Sequence, residues 1–463
     1  MPQSSYQSGI EFESGAAGNA AAGVLTAQPA AGLFADRAGL IGTENAFKIG
    51  PHIQRVEADG HRVIKCNLGE PDFPVPQHIR EEVKRQLDND NTHYCDPQGI
   101  LPLREAIARD MGSRRGLEIS PEQVCVCPGG KPPIGYTQQT YCNPGDEVIY
   151  PSPGFPIYES FIGYVGAKPV PLHLEEQAGF SFTGADLEPL ITPRTKVIIL
   201  NFPSNPTGGV ATEQQLRGIA DVIRRTAPQN VRIYSDEVYE HILFDGAEHH
   251  SIASLPGMAA KTIIVGGVSK SYSWTGGRVG WAILPTVEEA QVFKNLNINY
   301  ISCVPPYNQM GAKAGIESPE SPAGIRQMVT AFQERRDVVV DGLNAIPGVS
   351  CHKPLGAFYV FPNIGGLCER LGVHDAFAAL PDAVRRETSP SSLLQMFLLM
   401  RYHVAVMDRR SFGAIDTEGR HFLRISIATG MDDLKRAVAL IAEAATDRDG
   451  FTAFMKEATP PWN

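Results

Sequence analysis

Short runs of apolar residues alternate with amphipathic segments through the middle of the chain, from about residue 124 to residue 285. Apolar runs of this length are typical of buried strands, and the intervening stretch 213–226 repeats its apolar residues at helical spacing. Strands that alternate with helices favour a largely parallel sheet covered by helices. The pattern therefore predicts an α/β fold, with strands near residues 124–127, 147–150, 197–200, 231–234, 262–265 and 279–284.

The segments on either side of this region show longer helical patterns. Apolar residues at helical spacing predict a first helix between Glu44 and Gly60, followed by helices over about 77–88 and 100–112. After a proline-rich stretch, a long helical pattern covers about 323–345 and leaves the sheet region.

The C-terminal part of the chain has the pattern of a smaller α+β domain. Strand candidates lie at 404–407 and 422–427, and an amphipathic helix is predicted at 432–446. Residues 370–392 are polar without clear periodicity and are predicted to be irregular.

Composition narrows the classes of partner. The chain has 51 acidic and 41 basic residues, a net charge of −10 and no basic block, so neither nucleic acid nor membrane is a predicted partner. Eight cysteines without paired CxxC spacing argue against a zinc site and a disulfide framework. No apolar stretch could span a bilayer, and the first 40 or so residues lack the basic segment of a secretion signal and the arginines of a transit peptide. A cytoplasmic protein that acts on small molecules is predicted.

One loop between two predicted strands carries a lysine and an arginine close together. Lys270 and Arg278 both lie in the segment Val265–Gly280. A buried lysine loses its proton readily, and its free amine condenses with an aldehyde to form a Schiff base. Arg278 follows a Gly-Gly pair that allows a sharp turn, and its fork of N–H donors suits a phosphate. A lone Ser-Lys pair is usually a solvated loop, so the assignment depends on the surroundings.

Those surroundings are other candidate residues at the ends of predicted strands. In parallel sheets, ligands gather beyond the carboxyl ends of the strands. Five successive strands are followed, in order, by Gly129-Gly130-Lys131, by Phe155, by Asn205, by Asp236 with Tyr239, and by Lys270. We therefore expect these residues to meet at one edge of the sheet.

Several motifs in fixed order resemble those of the class I/II aminotransferases of the pyridoxal-phosphate fold-type I superfamily. The resemblance covers about Ala46 to Ala444. The motifs are Gly69-Glu-Pro-Asp-Phe73, Tyr94 with Gly99, Gly129-Gly-Lys131, Asn205-Pro-Thr-Gly208, Asp236-Glu-Val-Tyr239, Ser269-Lys270 with Arg278, Gly356-Ala-Phe-Tyr359 and Arg424 in Phe-Leu-Arg-Ile-Ser. The implied architecture is a large cofactor-binding domain at 90–322 and a small domain formed by 44–89 and 323–463. Residues 1–43 are predicted to be an extension that is flexible or packs on a partner subunit.

The resemblance implies pyridoxal phosphate as the cofactor, bound as a Schiff base on Lys270. The cofactor works as an electron sink when a carboxylate keeps its ring nitrogen protonated, and Asp236 matches that carboxylate. Asn205 and Tyr239 match the donors to its phenolic oxygen, and Phe155 matches the ring that stacks on it.

The phosphate is expected near the start of the helix that opens at Pro132, where the helix dipole attracts anions. The residues implied for it are Gly130, Lys131, Arg278 and, from the neighbouring subunit, Tyr94, and Ser269 is implied as a further residue that binds the cofactor. The match at Tyr94 implies a homodimer with active sites at the interface.

For the substrate, the resemblance implies that Arg424 binds the α-carboxylate of an L-amino acid, together with Gly69 and Asn205. Lys131 matches a lysine that approaches the distal carboxylate of dicarboxylic substrates in aspartate-type relatives. The implied reaction is transfer of an amino group between an L-amino acid and a 2-oxo acid.

Three departures from the family pattern concern the shape of the site. Gly267 stands where many relatives carry a hydroxyl residue, and Gly277 where a tryptophan is common. Pro132-Pro133 is unusual after Gly-Gly-Lys. We expect altered phosphate contacts and, at Gly277, room for larger substrate side chains.

Two alternatives stay open at this point. A lyase, cyclase or decarboxylase with the same cofactor would share these motifs, because the bond broken at Cα depends on its angle to the ring. A regulator that binds the cofactor without turnover usually carries a DNA-binding domain, and the first 40 or so residues offer none.

Overall fold

The computed structural model describes residues 33–42 and 48–457 of the 463-residue chain. Residues 44–47 of the predicted first helix, and most of the predicted extension at 1–43, lie outside the described residues. The strands in chain order are β1 (Ile64–Lys65), β2 (Val124–Cys127), β3 (Glu147–Ser152), β4 (Lys168–His173), β5 (Thr195–Asn201), β6 (Arg232–Asp236), β7 (Thr262–Gly267), β8 (Gly280–Ile283), β9 (Tyr359–Val360), β10 (Val404–Ala405), β11 (Met407–Asp408) and β12 (Leu423–Ser426).

The α-helices in chain order are α1 (Gly50–Ala58), α2 (Gln77–Asp88), α3 (Leu101–Arg115), α4 (Pro132–Tyr141), α5 (Ile157–Tyr164), α6 (Gly184–Leu187), α7 (Glu213–Thr226), α8 (Val268–Ser271), α9 (Val287–Tyr300), α10 (Pro306–Glu317), α11 (Ser321–Asn344), α12 (Gly365–Leu371), α13 (Val373–Ala378), α14 (Asp382–Glu387), α15 (Pro390–Tyr402), α16 (Met431–Ala444) and α17 (Arg448–Glu457).

Seven strands form the main sheet, in the order β2-β8-β7-β6-β5-β3-β4. The five strands from β7 to β4 are parallel to one another, whereas β8 is antiparallel to both of its neighbours, β2 and β7. β2 therefore runs in the same direction as the parallel strands, and its carboxyl end lies at the same edge. The predicted α/β fold with a largely parallel sheet is confirmed, and β8 is the reversed strand of this sheet.

Helices cover both faces of the sheet. Successive residues of β2 point to opposite faces: Val124 and Val126 pack in one cluster with α3 and α10, whereas Cys125 and Cys127 pack in another with α4, α5 and α9. Every residue of β2, β3 and β8 is buried, as expected for strands with both faces covered.

The helices follow from local sequence signals together with an apolar face. Helix α7 begins after Thr212, whose hydroxyl accepts from the backbone N–H of Gln215 in a capping box. Its buried face consists of Leu216, Ile219, Ala220, Val222 and Ile223, the spacing that packs one side of a helix on a sheet.

Smaller sheets join segments that are distant in sequence. β1 pairs in parallel with β10, and β12 lies between β11 and β9 in an antiparallel sheet. β12 carries Arg424 and β9 carries Tyr359. The long helix α11 packs on α16, and α2 packs along α10. The division at residues 89 and 322 stays a prediction.

One strand was not predicted, and two local predictions were wrong. The edge strand β4 was not predicted, because Pro169 and Pro171 interrupt its pattern; an edge strand tolerates proline since one side needs no hydrogen-bond partner. Residues 370–392 contain the short helices α13 and α14; Val373 of α13 is buried, whereas no residue of α14 is. The single strand predicted at 404–407 is split into β10 and β11, because they pair with different strands.

Across residues 33–42 and 48–457, none of the helices combines the length and the apolar character needed to cross a membrane.

Candidate active site

A cavity of about 410 Å³ lies beyond the carboxyl ends of the parallel strands, where the small sheets approach the main sheet. Its wall includes eleven of the predicted site residues: Gly69, Gly130, Lys131, Phe155, Asn205, Asp236, Tyr239, Ser269, Lys270, Arg278 and, from β12, Arg424. The structure thus brings together residues spread over more than three hundred positions. As expected, the residues that follow the strand ends lie together at one edge of the main sheet.

Lys270 lies in α8, the single helical turn that follows β7. Its Nζ donates a hydrogen bond to the carbonyl oxygen of Gly69 at 2.5 Å. The same nitrogen is 5.8 Å from the ring centre of Tyr239 and 5.6 Å from that of Phe358. Lys270 is half-buried, and its amine contacts the Gly69 carbonyl and lies near two aromatic rings.

Asp236, the last residue of β6, is the buried acid of the cavity, with 6% of its surface exposed. Burial raises its pKa to about 6, although a hydrogen bond from Tyr158 acts in the opposite direction. The Tyr158 hydroxyl donates to Oδ2 at 2.6 Å. Burial, and next the charge of Asp236, raise the pKa of Tyr158 well above its ordinary value, so this hydroxyl keeps its proton and remains a donor.

A chain of polar contacts joins the large sheet to Arg424. Nη1 of Arg424 donates to Oδ1 of Asn205 at 3.1 Å, and Nη2 donates to the carbonyl of Asn67. The guanidinium lies 4.5 Å from the ring centre of Tyr359 and 4.8 Å from that of Phe412. Arg424 is only 5% exposed, so its planar fork is held in one orientation at the cavity wall.

Tyr239 is also buried, and its hydroxyl lies 2.8 Å from that of Tyr359. Burial, followed by the influence of Tyr359, raises the pKa of Tyr239 well above the usual phenol value. The phenol is therefore a neutral hydrogen-bond group at physiological pH.

Gly69 is required by a contact inside the protein. A Cβ built on Gly69 would lie 1.9 Å from the hydroxyl oxygen of Tyr359, which no real side chain could occupy. The loop 67–73 is held over the cavity by Lys270 and by Thr275, which donates to the carboxylate of Glu70. Gly69 was predicted to bind the substrate; the close approach that requires a glycine in the structure is to Tyr359.

The opposite end of the cavity is formed by Arg278 and the start of α4. Nη1 of Arg278 donates to the carbonyl of Thr275 at 2.7 Å, and Nη2 to that of Pro128 at 2.9 Å. A Cβ on Gly129 would lie 2.4 Å from Nη2 of Arg278, and Gly129 has φ +90°. Glycine is needed there for both its backbone conformation and its lack of a side chain.

The departures at Pro132-Pro133 and Gly267 now have physical consequences. Proline occupies the first two positions of α4, which therefore lack two of the N–H groups that an ordinary helix start offers to an anion. A Cβ on Gly267 would lie 3.1 Å from Gly280 Cα, so a hydroxyl side chain would press on the β8 backbone. Fewer donors are thus available at this end than the family pattern implies, which increases the importance of Arg278.

Lys131 lies beside Phe155 on the cavity wall. Its Nζ is 5.7 Å from the centre of the Phe155 ring, although much of the side chain is exposed. The charged residues of the wall are four cations, Lys131, Lys270, Arg278 and Arg424, and two acids, Glu70 and Asp236. This excess of positive charge favours anionic ligands.

Two predicted features lie elsewhere. Tyr94 is 89% exposed and lies in a separate surface hollow with His93 and Cys303, outside the wall of the main cavity. Gly277 does not line the cavity either; a Cβ there would lie 2.3 Å from Trp274 Cε2. Trp274 already fills that space, so the expectation that Gly277 enlarges the substrate pocket was wrong.

Sequence reasoning missed several residues of the wall. Tyr158 follows Phe155 by three positions, so helical spacing could have placed both on one face. Asn201 lies four positions before Asn205, and the backbone N–H of Asn205 donates to Oδ1 of Asn201 at 2.9 Å. Phe412 comes from a distant 3₁₀ helix, Arg409–Phe412, and no local pattern marks it.

Comparisons with known proteins agree with this geometry. The family model described as aminotransferase class I and II matches residues 61–441. The aspartate aminotransferase of Musicola paradisiaca is 33% identical over 416 residues, covering 90% of this chain and 97% of that protein. The aspartate aminotransferase of Geobacillus stearothermophilus is 36% identical over 391 residues, which are 84% of this chain and 92% of that one.

A solved structure shares the whole architecture. The crystal structure of the aspartate aminotransferase from Rhizobium meliloti superimposes with a TM-score of 0.80 at 32% sequence identity, covering 91% of this chain and 99% of that one. With sequence, fold and cavity in agreement, this chain belongs to the class I and II aminotransferases and is an enzyme of the transaminase type.

Proposed function

We propose that this aminotransferase binds pyridoxal phosphate in the cavity through Lys270 and transfers the amino group of a dicarboxylic L-amino acid to a 2-oxo acid. Fold-type I aminotransferases depend on this cofactor as a class. The observation that supports the proposal most directly is the arrangement of Lys270, Asp236, Arg278 and Arg424 around one cavity.

The side chains of the wall fit the chemistry of the cofactor. Pyridoxal phosphate, when bound, supplies an aldehyde and an aromatic ring that withdraws electrons from the substrate Cα. Asp236 is a buried acceptor for a ring N–H, and Arg278 offers charge to the phosphate. The Asn205 amide and the Tyr239 hydroxyl are neutral groups suited to the phenolic oxygen, and the ring of Phe155 can stack on the cofactor ring.

Lys270 has two tasks in this proposal. Its amine would hold the cofactor covalently before the substrate arrives. When the substrate displaces it, Nζ would take the proton from Cα and return it to the cofactor carbon, as a general base and acid. The hydrogen bond to the Gly69 carbonyl shows that Nζ can be oriented by a neutral acceptor on the loop that covers the cavity.

Arg424 and Lys131 are proposed to bind the two ends of the substrate. The buried fork of Arg424 suits an α-carboxylate, and Lys131 is a second cation on the same wall. The three relatives described above are named aspartate aminotransferases, which supports a dicarboxylic donor for this chain as well.

The substrate proposal is tested by a panel of amino donors assayed with the parent protein and with Lys131→Ala. We expect kcat/KM for aspartate and glutamate to fall about ten- to hundredfold, because a charge-assisted hydrogen bond of about 1.5–3 kcal/mol is lost. Alanine and phenylalanine should be little affected. Lys313→Ala is the control, since Lys313 pairs with Glu317 on α10 away from the cavity. An unchanged ratio of acidic to apolar donors would remove Lys131 from the site.

We also propose a homodimer in which Tyr94 reaches the active site of the neighbouring subunit. The exposure of Tyr94, and its position outside the cavity of its own subunit, support this arrangement. Mixing Tyr94→Phe with Lys270→Ala protein should regenerate activity, because one site of each mixed dimer would be intact. Activity no greater than that of the separate variants would place Tyr94 in its own subunit or in no site.

A further inference from the structure

Buried charged side chains lie directly behind the segment that carries Asp236 and Tyr239. Along this segment Asp236 and Tyr239 line the cavity, whereas Glu237 and Glu240 turn away from it and bond to arginines of α3. Glu237 is 1% exposed and Glu240 7%. We call the side chains of Arg114, Arg115, Glu237, Glu240 and His249 the rear cluster.

Glu237 is held by several partners at once. The hydroxyls of Ser235 and Ser251 donate to its Oε1 at 2.7 and 2.6 Å. Nε of Arg115 donates to Oε2 at 3.1 Å, and His249 Nε2 lies 2.9 Å from the same oxygen. Each of these buried bonds would be costly to break, so the carboxylate has one orientation.

Arg115 joins Glu237 to Glu240. It is the last residue of α3 and only 7% exposed, and its Nη2 donates to Glu240 Oε2 at 2.5 Å and also to Glu237 Oε2. Burial acts to raise the pKa of Glu237, but the charges of Arg115 and His249 outweigh it and hold this pKa at about 2. Arg115, with Arg114, also keeps the pKa of Glu240 far below its ordinary value despite burial. Both carboxylates are therefore ionised and share one guanidinium.

The cation of the rear cluster is an arginine. Ligand atoms of Glu237, Glu240 and His249 lie within 4.8 Å of one another, a spacing that would also suit a metal ion. Arg115 bonds to both carboxylates and Arg114 bonds to Glu240, so two guanidinium groups balance the two negative charges without a metal.

We infer that Arg115 is a positioning residue of the active site: through Glu237 and Glu240 it holds, from behind, the segment that presents Asp236 and Tyr239 to the cavity. The segment is short and tightly turned, with the N–H of Glu240 donating to the carbonyl of Glu237 at 3.0 Å. Movement of either carboxylate must therefore move its neighbours on the cavity side.

The energetic reason is the cost of an unbalanced buried charge. Without Arg115, Glu237 and Glu240 would face each other in a buried site with less positive charge, an arrangement that is strongly destabilising. The segment would shift, or one of the two carboxylates would take up a proton. Either change would alter the position of Asp236, because Asp236 is joined to Glu237 in the backbone. The inference rests on the proposed function, because Asp236 and Tyr239 are the residues proposed to hold pyridoxal phosphate.

Two variants of Arg115 and one control test this role. Arg115→Met removes the positive charge and the forked N–H donors of the guanidinium. Arg115→Lys keeps the charge but cannot bond both carboxylates in the same way. Arg336→Met is the control, since Arg336 is also fully buried and pairs with Asp245 and Asp337, but does not line the cavity. For each apoprotein we would measure the dissociation constant of pyridoxal phosphate, the visible circular dichroism of the bound cofactor, which reports its orientation, and the thermal midpoint.

We expect Arg115→Met to raise the dissociation constant about tenfold and to change the visible circular dichroism, because loss of outer support weakens a bound group on this scale. Arg115→Lys should lie between this variant and the parent. Arg336→Met should lower the thermal midpoint yet leave affinity and dichroism unchanged.

The inference is overturned if the Arg115 variants bind the cofactor with parental affinity and dichroism, since Arg115 would then be structural only. Should Arg115→Met fail to fold, Arg115→Lys decides by the same two measurements. A parent protein that binds no pyridoxal phosphate would instead overturn the proposed function, so the two failures are distinguishable.

Discussion

At one end of the cavity Asp236 is 6% exposed and bonded to buried Tyr158, whereas at the other end Arg278 is exposed and bonded to backbone carbonyls. Behind Asp236 lies the rear cluster, of which Arg115, Glu237 and Glu240 are also buried. Behind Arg278 lies a helix start whose first two residues are prolines. The side chains at the Asp236 end are therefore fixed before a ligand binds, whereas those at the Arg278 end are less constrained.

This difference indicates that the two ends of the cavity have different functional roles. The Asp236 end has the desolvation and fixed hydrogen bonds of a preorganised electrostatic site. The Arg278 end supplies charge but few fixed donors, so its order should depend more on the bound anion and on a neighbouring subunit. Disturbing the buried end should change the orientation of the cofactor, the chemistry and the pH response as well as cofactor affinity, whereas disturbing the exposed end should mainly change cofactor retention.

The largest effect is expected at Lys270, which lies between the two ends. Lys270→Ala should lower kcat for transamination by a factor on the order of 10³, because both the amine nucleophile and the proton shuttle are removed. Formation of 2-oxo acid measures the loss, and Lys261→Ala, at a partly exposed lysine bonded to the Gln229 carbonyl, is the control. Borohydride reduction of the parent should place the cofactor on Lys270; a label on another lysine would contradict the assignment.

At the exposed end, Arg278→Ala should raise the dissociation constant of pyridoxal phosphate about ten- to hundredfold, since charge-assisted hydrogen bonds worth about 1.5–3 kcal/mol are lost. The turnover of protein saturated with cofactor should fall much less. Equilibrium titration of the apoprotein gives the affinity, with Arg217→Ala on α7 as an exposed-arginine control. Unchanged affinity would argue against a phosphate role for Arg278.

A smaller effect is expected from Gly129→Ala, which displaces the Arg278 side chain. Gly129 and Gly145 have nearly the same positive φ, +90° and +87°, but a Cβ on Gly145 meets nothing within 4 Å. Both substitutions should cost about 1 kcal/mol of stability for the backbone conformation. Only Gly129→Ala should weaken cofactor affinity, by about tenfold or less; equal affinities would show that Arg278 does not need the space.

At the buried end, Tyr158→Phe should change the pH dependence of apoprotein stability. The pKa of Asp236 is raised to about 6, above its unfolded value, so its contribution to the free energy of unfolding is present at low pH and is lost as the pH rises through about 6. Removal of the Tyr158 donor raises this pKa further, so the loss should extend to higher pH. Denaturant unfolding between pH 4 and about 8 measures the pH range over which this stability is lost.

Tyr234→Phe is the matched control for this experiment. Tyr234 is buried beside Tyr158, with ring centres 6.3 Å apart, but its hydroxyl has no hydrogen-bond partner among the described residues. Asp236→Asn should abolish the contribution of this residue to the pH dependence. A pH range of loss that is the same in Tyr158→Phe and Tyr234→Phe would mean that the Tyr158 hydrogen bond does not tune Asp236.

Much of the sheet could be predicted because its signals are local. The apolar runs of β2, β3 and β5 to β8 are buried on both faces, and such runs are visible without knowledge of their partners. β4 escaped because its prolines are acceptable only at an edge, and edge position is a property of the assembled sheet. Likewise α13 and α14 are too short for periodicity to reveal them.

For the site, the sequence by itself determined which polar residues follow which strands, and in parallel strands this places Lys131, Asn205, Asp236 and Lys270 at one edge. The tertiary structure alone decided what surrounds them: Tyr158 on Asp236, Tyr359 against Gly69, Phe412 beside Arg424, and Arg115 behind Glu237. The physical reason is the distance along the sequence over which each property is determined. A strand end is encoded within a few residues, whereas burial, and the hydrogen bonds that set a pKa, arise from segments that only folding brings into contact.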